Sequence, residues 1–239
     1  MNDYYHKTVN KFQPDFKDVG CFFKEYLKKY IKPDSNILDV GCGRNAFGEE
    51  YYKIARKRVG VDPDKDALSE NKLMDQKICC AIKDIYDISK IANSFDVVIA
   101  QWVLEHMDNP ERDIRAISKL CKKDGHFIFM TTNVYSPVML FSKICPTFLK
   151  KLLRKKMFGT DEDDTYPTKY RINSISKIDQ VMRNNGFQKV DLKAVGTLGY
   201  FAFNKYILIG KIFLNKFCDK INFGSPFKTH LTGVYRKVE

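Results

Sequence analysis

Leu38-Asp39-Val40-Gly41-Cys42-Gly43-Arg44-Asn45 is the stretch that decides the fold. It reads as the end of a buried strand, Asn36–Val40, that runs into a glycine-dependent turn and then a helix over about 46–57. Gly41 and Gly43 permit unusual dihedrals and a close approach to bare backbone. A doubly wound α/β sheet uses this arrangement to bring a nucleotide-like cofactor against main-chain N–H groups.

Working outward, Val59-Gly60-Val61-Asp62 forms a short second strand that ends in an acid. An acid at that distance from the glycine turn can accept hydrogen bonds from both hydroxyls of a ribose. A helix cap ahead of Pro63 is the simpler role for the same side chain. Pro63-Asp64 opens the next helix, which runs through about Asn71. Ile78–Ile82 is the third strand, with Asp84 beyond it, and Phe95–Ala100 is the fourth, followed by Gln101. Arg112–Cys121 is helical, Lys123-Asp124-Gly125 turns, and His126–Thr131 is the fifth strand. Alternating strands and helices of these lengths predict a parallel sheet covered on both faces. In such a sheet the ligand lies at the carboxyl ends of the strands, where Asp39, Asp62, Asp84 and Gln101 all fall.

These residues carry a family resemblance. Leu38–Gly43, Gly60–Asp64, Phe95–Ala100 and Val103-Leu104-Glu105-His106 resemble the successive motifs of class I S-adenosylmethionine-dependent methyltransferases. Within that family the likeness is to the small-molecule branch with the ubiquinone-biosynthesis and sugar O-methyltransferases. It covers roughly residues 20–135. The chain departs from the pattern at Asn45, where many members have a third glycine. The resemblance implies a Rossmann-like sheet with helices on both faces and an inserted helical cap, and S-adenosyl-L-methionine as cofactor. Asp39 and the Gly41-Cys42-Gly43 backbone would lie by its methionine part. Asp62, with Pro63 beside it, would hold the ribose, and Asp84 the adenine amino group. Ile85 would pack near the ring, while Gln101 and Trp102 would line the far side. An NAD-dependent reductase fits less well, because the turn lacks the full GxGxxG spacing and no Tyr-x-x-x-Lys pair follows.

Methyl transfer requires alignment of the acceptor and often removal of its proton. Histidine ordinarily titrates near neutral pH, and His106 follows the fourth strand near the expected mouth of the site. It is the candidate base, with Glu105 second; packing or capping of the Glu105–Asn109 segment is the alternative role. No metal site is expected, since the histidines are widely separated and Asp161-Glu162-Asp163-Asp164 lacks calcium-loop spacing.

The 239 residues suit one methyltransferase domain over 1–239, with a lid at 1–30 and an inserted cap or substrate segment at 134–174. The chain is 44% hydrophobic and 29% charged. Its seven cysteines form no CxxC pair, which favours reduced thiols and a cytoplasmic setting. Neither a signal peptide nor a membrane-spanning run is visible.

The net charge of +12 is uneven. Residues 1–133 carry 22 basic and 21 acidic side chains, while 134–239 carry 19 and 8. In 134–159 six cations (Lys143, Lys150, Lys151, Arg154, Lys155 and Lys156) accompany Met139, Leu140, Ile144, Phe148, Leu152 and Leu153. Tyr200–Ile221 likewise mixes aromatic and aliphatic residues with Lys205, Lys211, Lys216 and Lys220. Such segments can cap an active site with lysines left in water, or lie on an anionic membrane.

Tyr166-Pro167-Thr168-Lys169-Tyr170-Arg171 resembles methyltransferases of bacterial surface-polysaccharide biosynthesis, which implies Tyr166, Tyr170 and Arg171 near a glycan acceptor. Pinning of the insertion to the core is the alternative role. The leading expectation is O-methylation of a sugar or other small polar metabolite, nucleotide- or lipid-linked. The alternative is a quinone-precursor or lipid acceptor. Nucleic-acid methylation lacks both a sequence-reading module and an Asn/Asp-Pro-Pro-Tyr/Phe motif, and a silent cofactor-binding subunit would keep the cofactor without transfer.

Overall fold

The computed structural model describes residues 3–85, 92–137, 139–140, 167–201, 204–220 and 228–239. Tyr166, Asp161–Asp164 and the basic run at 143–156 lie outside them. The chain divides into two compact units.

The larger unit comprises 20–132, 167–193 and 231–239. Its seven-stranded sheet has the order β3-β2-β1-β4-β5-β7-β6. The strands are β1 (Asn36–Val40), β2 (Lys57–Asp62), β3 (Gln76–Cys79), β4 (Phe95–Gln101), β5 (Cys121–Thr132), β6 (Phe187–Val195) and β7 (His230–Lys237). Strands β1 to β5 pair in parallel. Val238 N–H donates to the Gly186 carbonyl and Gly233 lies against the Asp191 carbonyl, so β7 runs against β6 and the sheet is mixed. The middle stretches of the central strands are apolar and fully buried: Ile37 and Leu38, Val59, and Val97 through Ala100. Two covered faces require this.

The helices of this unit begin and end where local chemistry directs. α2 is Val19–Tyr30, α3 Glu49–Tyr52 and α4 Lys65–Glu70. Asn109 caps α5 (Pro110–Leu120) by accepting from Arg112 N–H, with Pro110 in the first turn. Ser174 caps α6 (Ile175–Asn184), and Gly186 at φ 77° follows its end.

The parallel sheet read from the sequence is present over β1 to β5, while β6 and β7 add the antiparallel edge that the sequence reading did not include; four local corrections apply. The helix after β1 is four residues long rather than twelve, because Gly48 sits at φ 84° and the chain enters α3 only after it. β2 starts at Lys57, two residues earlier than expected. β3 ends at Cys79, and Ile82–Asp84 form a 3-10 turn instead of strand. The expected turn at Lys123-Asp124-Gly125 is a bulge inside β5: Asp124 keeps the turn's positive φ of 64°, and the pairing with β4 shifts between Phe95 and Val97.

The smaller unit comprises 1–19, 133–166 and 194–230. There α1 (Asp3–Phe12) packs on α7 (Lys205–Lys220) through Tyr5, Val9, Leu198, Leu208 and Ile212. Tyr5 is thus buried in this core.

Candidate functional site

The strand register places the carboxyl ends of β1, β2, β3 and β4 side by side: Val40 pairs with Val61 and Ala100, and Asp62 with Cys79. The glycine turn leaves β1 on that edge. Gly41 has φ 69° and its N–H donates to the Val61 carbonyl at 2.7 Å. A Cβ there would stand 2.4 Å from Val103 Cγ2, so the turn and the Val103 side chain share one space. Gly43 has φ 48°, and a Cβ there would meet nothing within 4 Å. Cys42 is buried and its thiol is pushed up by burial; Gly60 makes room for its sulfur.

Asp62 ties this turn down. One carboxylate oxygen accepts from Gly43 N–H at 2.8 Å and the other from Asp64 N–H at 2.8 Å. It does not cap α4. Asp64 does that, accepting from the N–H groups of Asp66 and Ala67, with Pro63 as the link between the two acids. Each Asp62 oxygen keeps a further lone pair for a hydroxyl donor.

Asp39 is the opposite case. It is 1% exposed at the end of β1, and neither of its carboxylate oxygens has a hydrogen-bond partner among the described residues. Burial pushes its pKa up to about 8, and the Asp62 charge adds to the rise; the Tyr52 hydroxyl opposes it without reaching bonding geometry. A buried acid without a partner among the described residues, beside a glycine turn, could be satisfied by a cationic group.

Gln101, at the end of β4, bridges inward and outward: its amide N–H donates to the Tyr52 hydroxyl at 2.6 Å, and its carbonyl accepts from Phe47 N–H at 3.0 Å. Trp102 follows at φ 57° and is 36% exposed, and Phe47 is exposed as well. Asp84 is half-buried in the turn after β3, and Ile85 is buried behind it.

His106 lies in a 3-10 turn, Leu104–His106, beyond β4. Its Nδ1 is 3.2 Å from the Pro167 carbonyl. A carbonyl only accepts, so Nδ1 carries the proton in this contact and Nε2 is the basic nitrogen. The same segment clasps the turn elsewhere. Lys169 and Tyr170 N–H groups donate to the Glu105 carbonyl at 2.7 and 3.1 Å, and Arg171 Nη1 donates to the Asp108 carbonyl at 2.6 Å. Tyr170 and Arg171 are therefore brought to His106, with Arg171 engaged in holding the loop. Glu105 is buried; its carboxylate accepts from Thr131 Oγ1 at 2.6 Å, which itself accepts from Asn173 Nδ2 at 2.6 Å. Burial pushes Glu105 above the usual carboxylate range.

Four contributors escaped sequence reading. Tyr52 is fully buried between Asp39 and Gln101. Asn71 Nδ2 donates to the carbonyls of Cys42 and Gly43 at 3.3 and 2.9 Å, bracing the turn. Thr131 and Asn173 complete the network under Glu105. Asn71 carries the signal of an ordinary helix-terminal Asn; the others carry none.

The family model for a methyltransferase domain matches residues 17–192. An uncharacterized protein of Methanocaldococcus jannaschii is 25% identical over 93% of this chain and 89% of its own length. A ubiquinone biosynthesis O-methyltransferase of Alkalilimnicola ehrlichii is 32% identical over 50% of this chain, and the match spans half of that protein's length. Geranyl diphosphate C-methyltransferase from Streptomyces coelicolor, solved with Mg2+, geranyl diphosphate and S-adenosyl-L-homocysteine, shares the fold. Its TM-score is 0.58 at 13% identity, covering 90% of this chain and 76% of that one.

Proposed function

The chain belongs to the class I S-adenosylmethionine-dependent methyltransferases that act on small molecules, and from that premise we propose that it O-methylates a hydroxyl on an aromatic, quinone-type precursor. The observation that carries the cofactor assignment is the buried Asp39 carboxylate, both of whose oxygens lack a hydrogen-bond partner among the described residues, beside the open Gly43 backbone. In this reading Asp39 holds the ammonium of the methionine part, and Gly41, Cys42 and Gly43 bring main chain against it. Asp62 spends its spare lone pairs on the ribose hydroxyls. Asp84 and Ile85 flank the adenine, and Gln101 and Trp102 close the other side. When bound, S-adenosylmethionine supplies the methyl group in an already activated, sulfonium-bound form.

The chain's own residues then have an acceptor to orient and a proton to take. His106 accepts the hydroxyl proton at Nε2, its ring held by the Pro167 carbonyl at Nδ1. Trp102 and Phe47 offer apolar surface for an aromatic acceptor. Support for the quinone-type acceptor over the expected sugar comes from the relatives, several of which are ubiquinone biosynthesis O-methyltransferases. The sugar reading leaned on Tyr166, Tyr170 and Arg171, and the Arg171 guanidinium already spends a donor on the Asp108 carbonyl.

The test is calorimetric titration with S-adenosylhomocysteine, with NADH as control, followed by methyl uptake onto phenols bearing isoprenoid chains and onto nucleotide sugars. Uptake by the phenols alone supports the proposal. Uptake by the sugars alone restores the glycan acceptor, and a folded sample that binds no S-adenosylhomocysteine overturns the site itself.

A further inference from the structure

Helix α7 has two apolar faces where a surface helix has one. Leu208 and Ile212 are fully buried against α1. Tyr206, Ile207, Phe213, Leu214 and Phe217 are all exposed, Tyr206 by 81% and Phe217 by 62%. At 3.6 residues per turn these five, with Gly210, fall within one stripe about 120° wide, opposite the buried pair. The stripe runs the length of a helix of about 24 Å at 1.5 Å per residue. Isolated exposed apolar residues need no explanation, but a contiguous stripe of this size marks an interaction surface.

The borders of the stripe identify its occupant. Lys211 flanks the Ile207 side, while Lys205, Lys216 and Lys220 flank the Phe213 side; Asp219 is the helix's single acid. A two-fold contact with a second copy would bring two sets of these lysines together. A surface that is apolar inside and anionic outside satisfies both features at once: the aromatic and aliphatic side chains enter the acyl boundary, and the lysine stems follow them with their ammonium groups among the phosphates. The surplus of positive charge after residue 134 has the same sign. No helix among the described residues is long and apolar enough to cross a membrane, so the contact lies in the plane of the surface. We propose that α7 is an interfacial helix that seats this enzyme on an anionic lipid bilayer through Tyr206, Ile207, Phe213, Leu214 and Phe217. This assignment is independent of the acceptor's identity.

The experiment is cosedimentation of the full chain with phosphatidylcholine vesicles, alone and mixed with an anionic phospholipid, at low salt and at ~0.5 M salt. The expected result is binding to anionic vesicles at low salt that weakens in high salt and on omission of the anionic lipid. Lys216→Gln with Lys220→Gln should weaken it about fivefold per lysine. Leu214→Glu with Phe217→Glu should weaken it more than tenfold, with unchanged melting temperature and S-adenosylhomocysteine affinity showing that the variant is folded. Equal binding by the parent and by both sets of variants overturns the proposal, as does no binding at low salt. A dimer of the parent that Leu214→Glu with Phe217→Glu dissolves would assign the stripe to a second copy.

Discussion

Replacing Asp39 with Asn should stabilise the cofactor-free protein at alkaline pH while damaging its ability to bind the cofactor. The carboxyl's ordinary value is 3.8 and the fold raises it to about 8, with burial as the main cause. A raised acid favours the native state while it is protonated. Its contribution is therefore full below the unfolded value of 3.8 and is lost as pH climbs through 8. At 1.36 kcal/mol per unit the loss is on the order of 5 kcal/mol by pH 8.5. Asn does not titrate, but leaves an amide buried without a partner, at a cost of about 1–3 kcal/mol. The variant should thus be equal to or less stable than the parent at pH 4.5, and more stable by a few kcal/mol at pH 8.5. Urea unfolding of both proteins across that range measures the difference, and because every other group titrates in both, the difference isolates Asp39. S-adenosylhomocysteine affinity should fall in the variant at all pH values. In the parent, binding near pH 7 should release close to one proton, read by calorimetry in buffers of different ionisation enthalpy. A parent–variant gap in stability that does not change with pH refutes this reasoning.

Three further outcomes follow from the geometry. Gly41→Ala places a methyl 2.4 Å from Val103 Cγ2 at φ 69° and should cost about 2–5 kcal/mol. Gly43→Ala meets open space and should cost only the left-handed backbone penalty, about 1–2 kcal/mol, so equal urea midpoints for the two would refute the close packing of Val103. His106→Ala should leave S-adenosylhomocysteine affinity intact and lower the transfer rate by roughly 10²–10⁴; activity equal to the parent from pH 6 to 9 would remove His106 as the base. Thr131→Val withdraws the only hydroxyl bonded to the buried Glu105 carboxylate among the described residues and should cost about 2–3 kcal/mol where that carboxylate is ionised. That cost should shrink as pH falls and Glu105 is protonated, a trend that melting curves from pH 4 to 8 would reveal or exclude.

The readings that held were those in which a residue's own backbone chemistry decides its place. Gly41 and Gly43 adopt the positive φ that the glycine turn required, and Asp62 stands at a strand end because the alternation of apolar runs fixes where β2 stops. Short connections between strands were less legible. Gly48 cut a twelve-residue helix to four residues by sitting left-handed at its start, and nothing around Phe47-Gly48 distinguishes that from a tolerated helix glycine. Asp124 gave a true signal, a positive φ, but the signal is shared by a turn and a β-bulge, and only pairing with β4 separates them. The supports of the site were invisible because they arrive from distant sequence. Tyr52 reads as one tyrosine of a Tyr-Tyr pair, and Thr131 and Asn173 as ordinary polar residues, until the sheet brings them under Asp39 and Glu105.

The two acids at the ends of β1 and β2 differ sharply in how the fold satisfies them. They leave adjacent strands of one sheet, yet Asp62 has its oxygens engaged by two backbone N–H groups, while Asp39 has neither engaged among the described residues. The satisfied acid shapes the turn, and its charge makes the orphaned one still harder to ionise. A cation entering beside Asp39 reverses that: it supplies the missing donors, neutralises the carboxylate and relieves the repulsion from Asp62 together. A ligand whose positive group reached Asp39 while its hydroxyls reached Asp62 would therefore gain affinity from satisfying both acids at once. A neutral nucleotide would satisfy Asp62 and leave Asp39 as it was. On the proposed reading Asp39→Asn should therefore narrow the gap in affinity between S-adenosylhomocysteine and adenosine, whereas a gap of unchanged size would show that Asp39 does not read the charge.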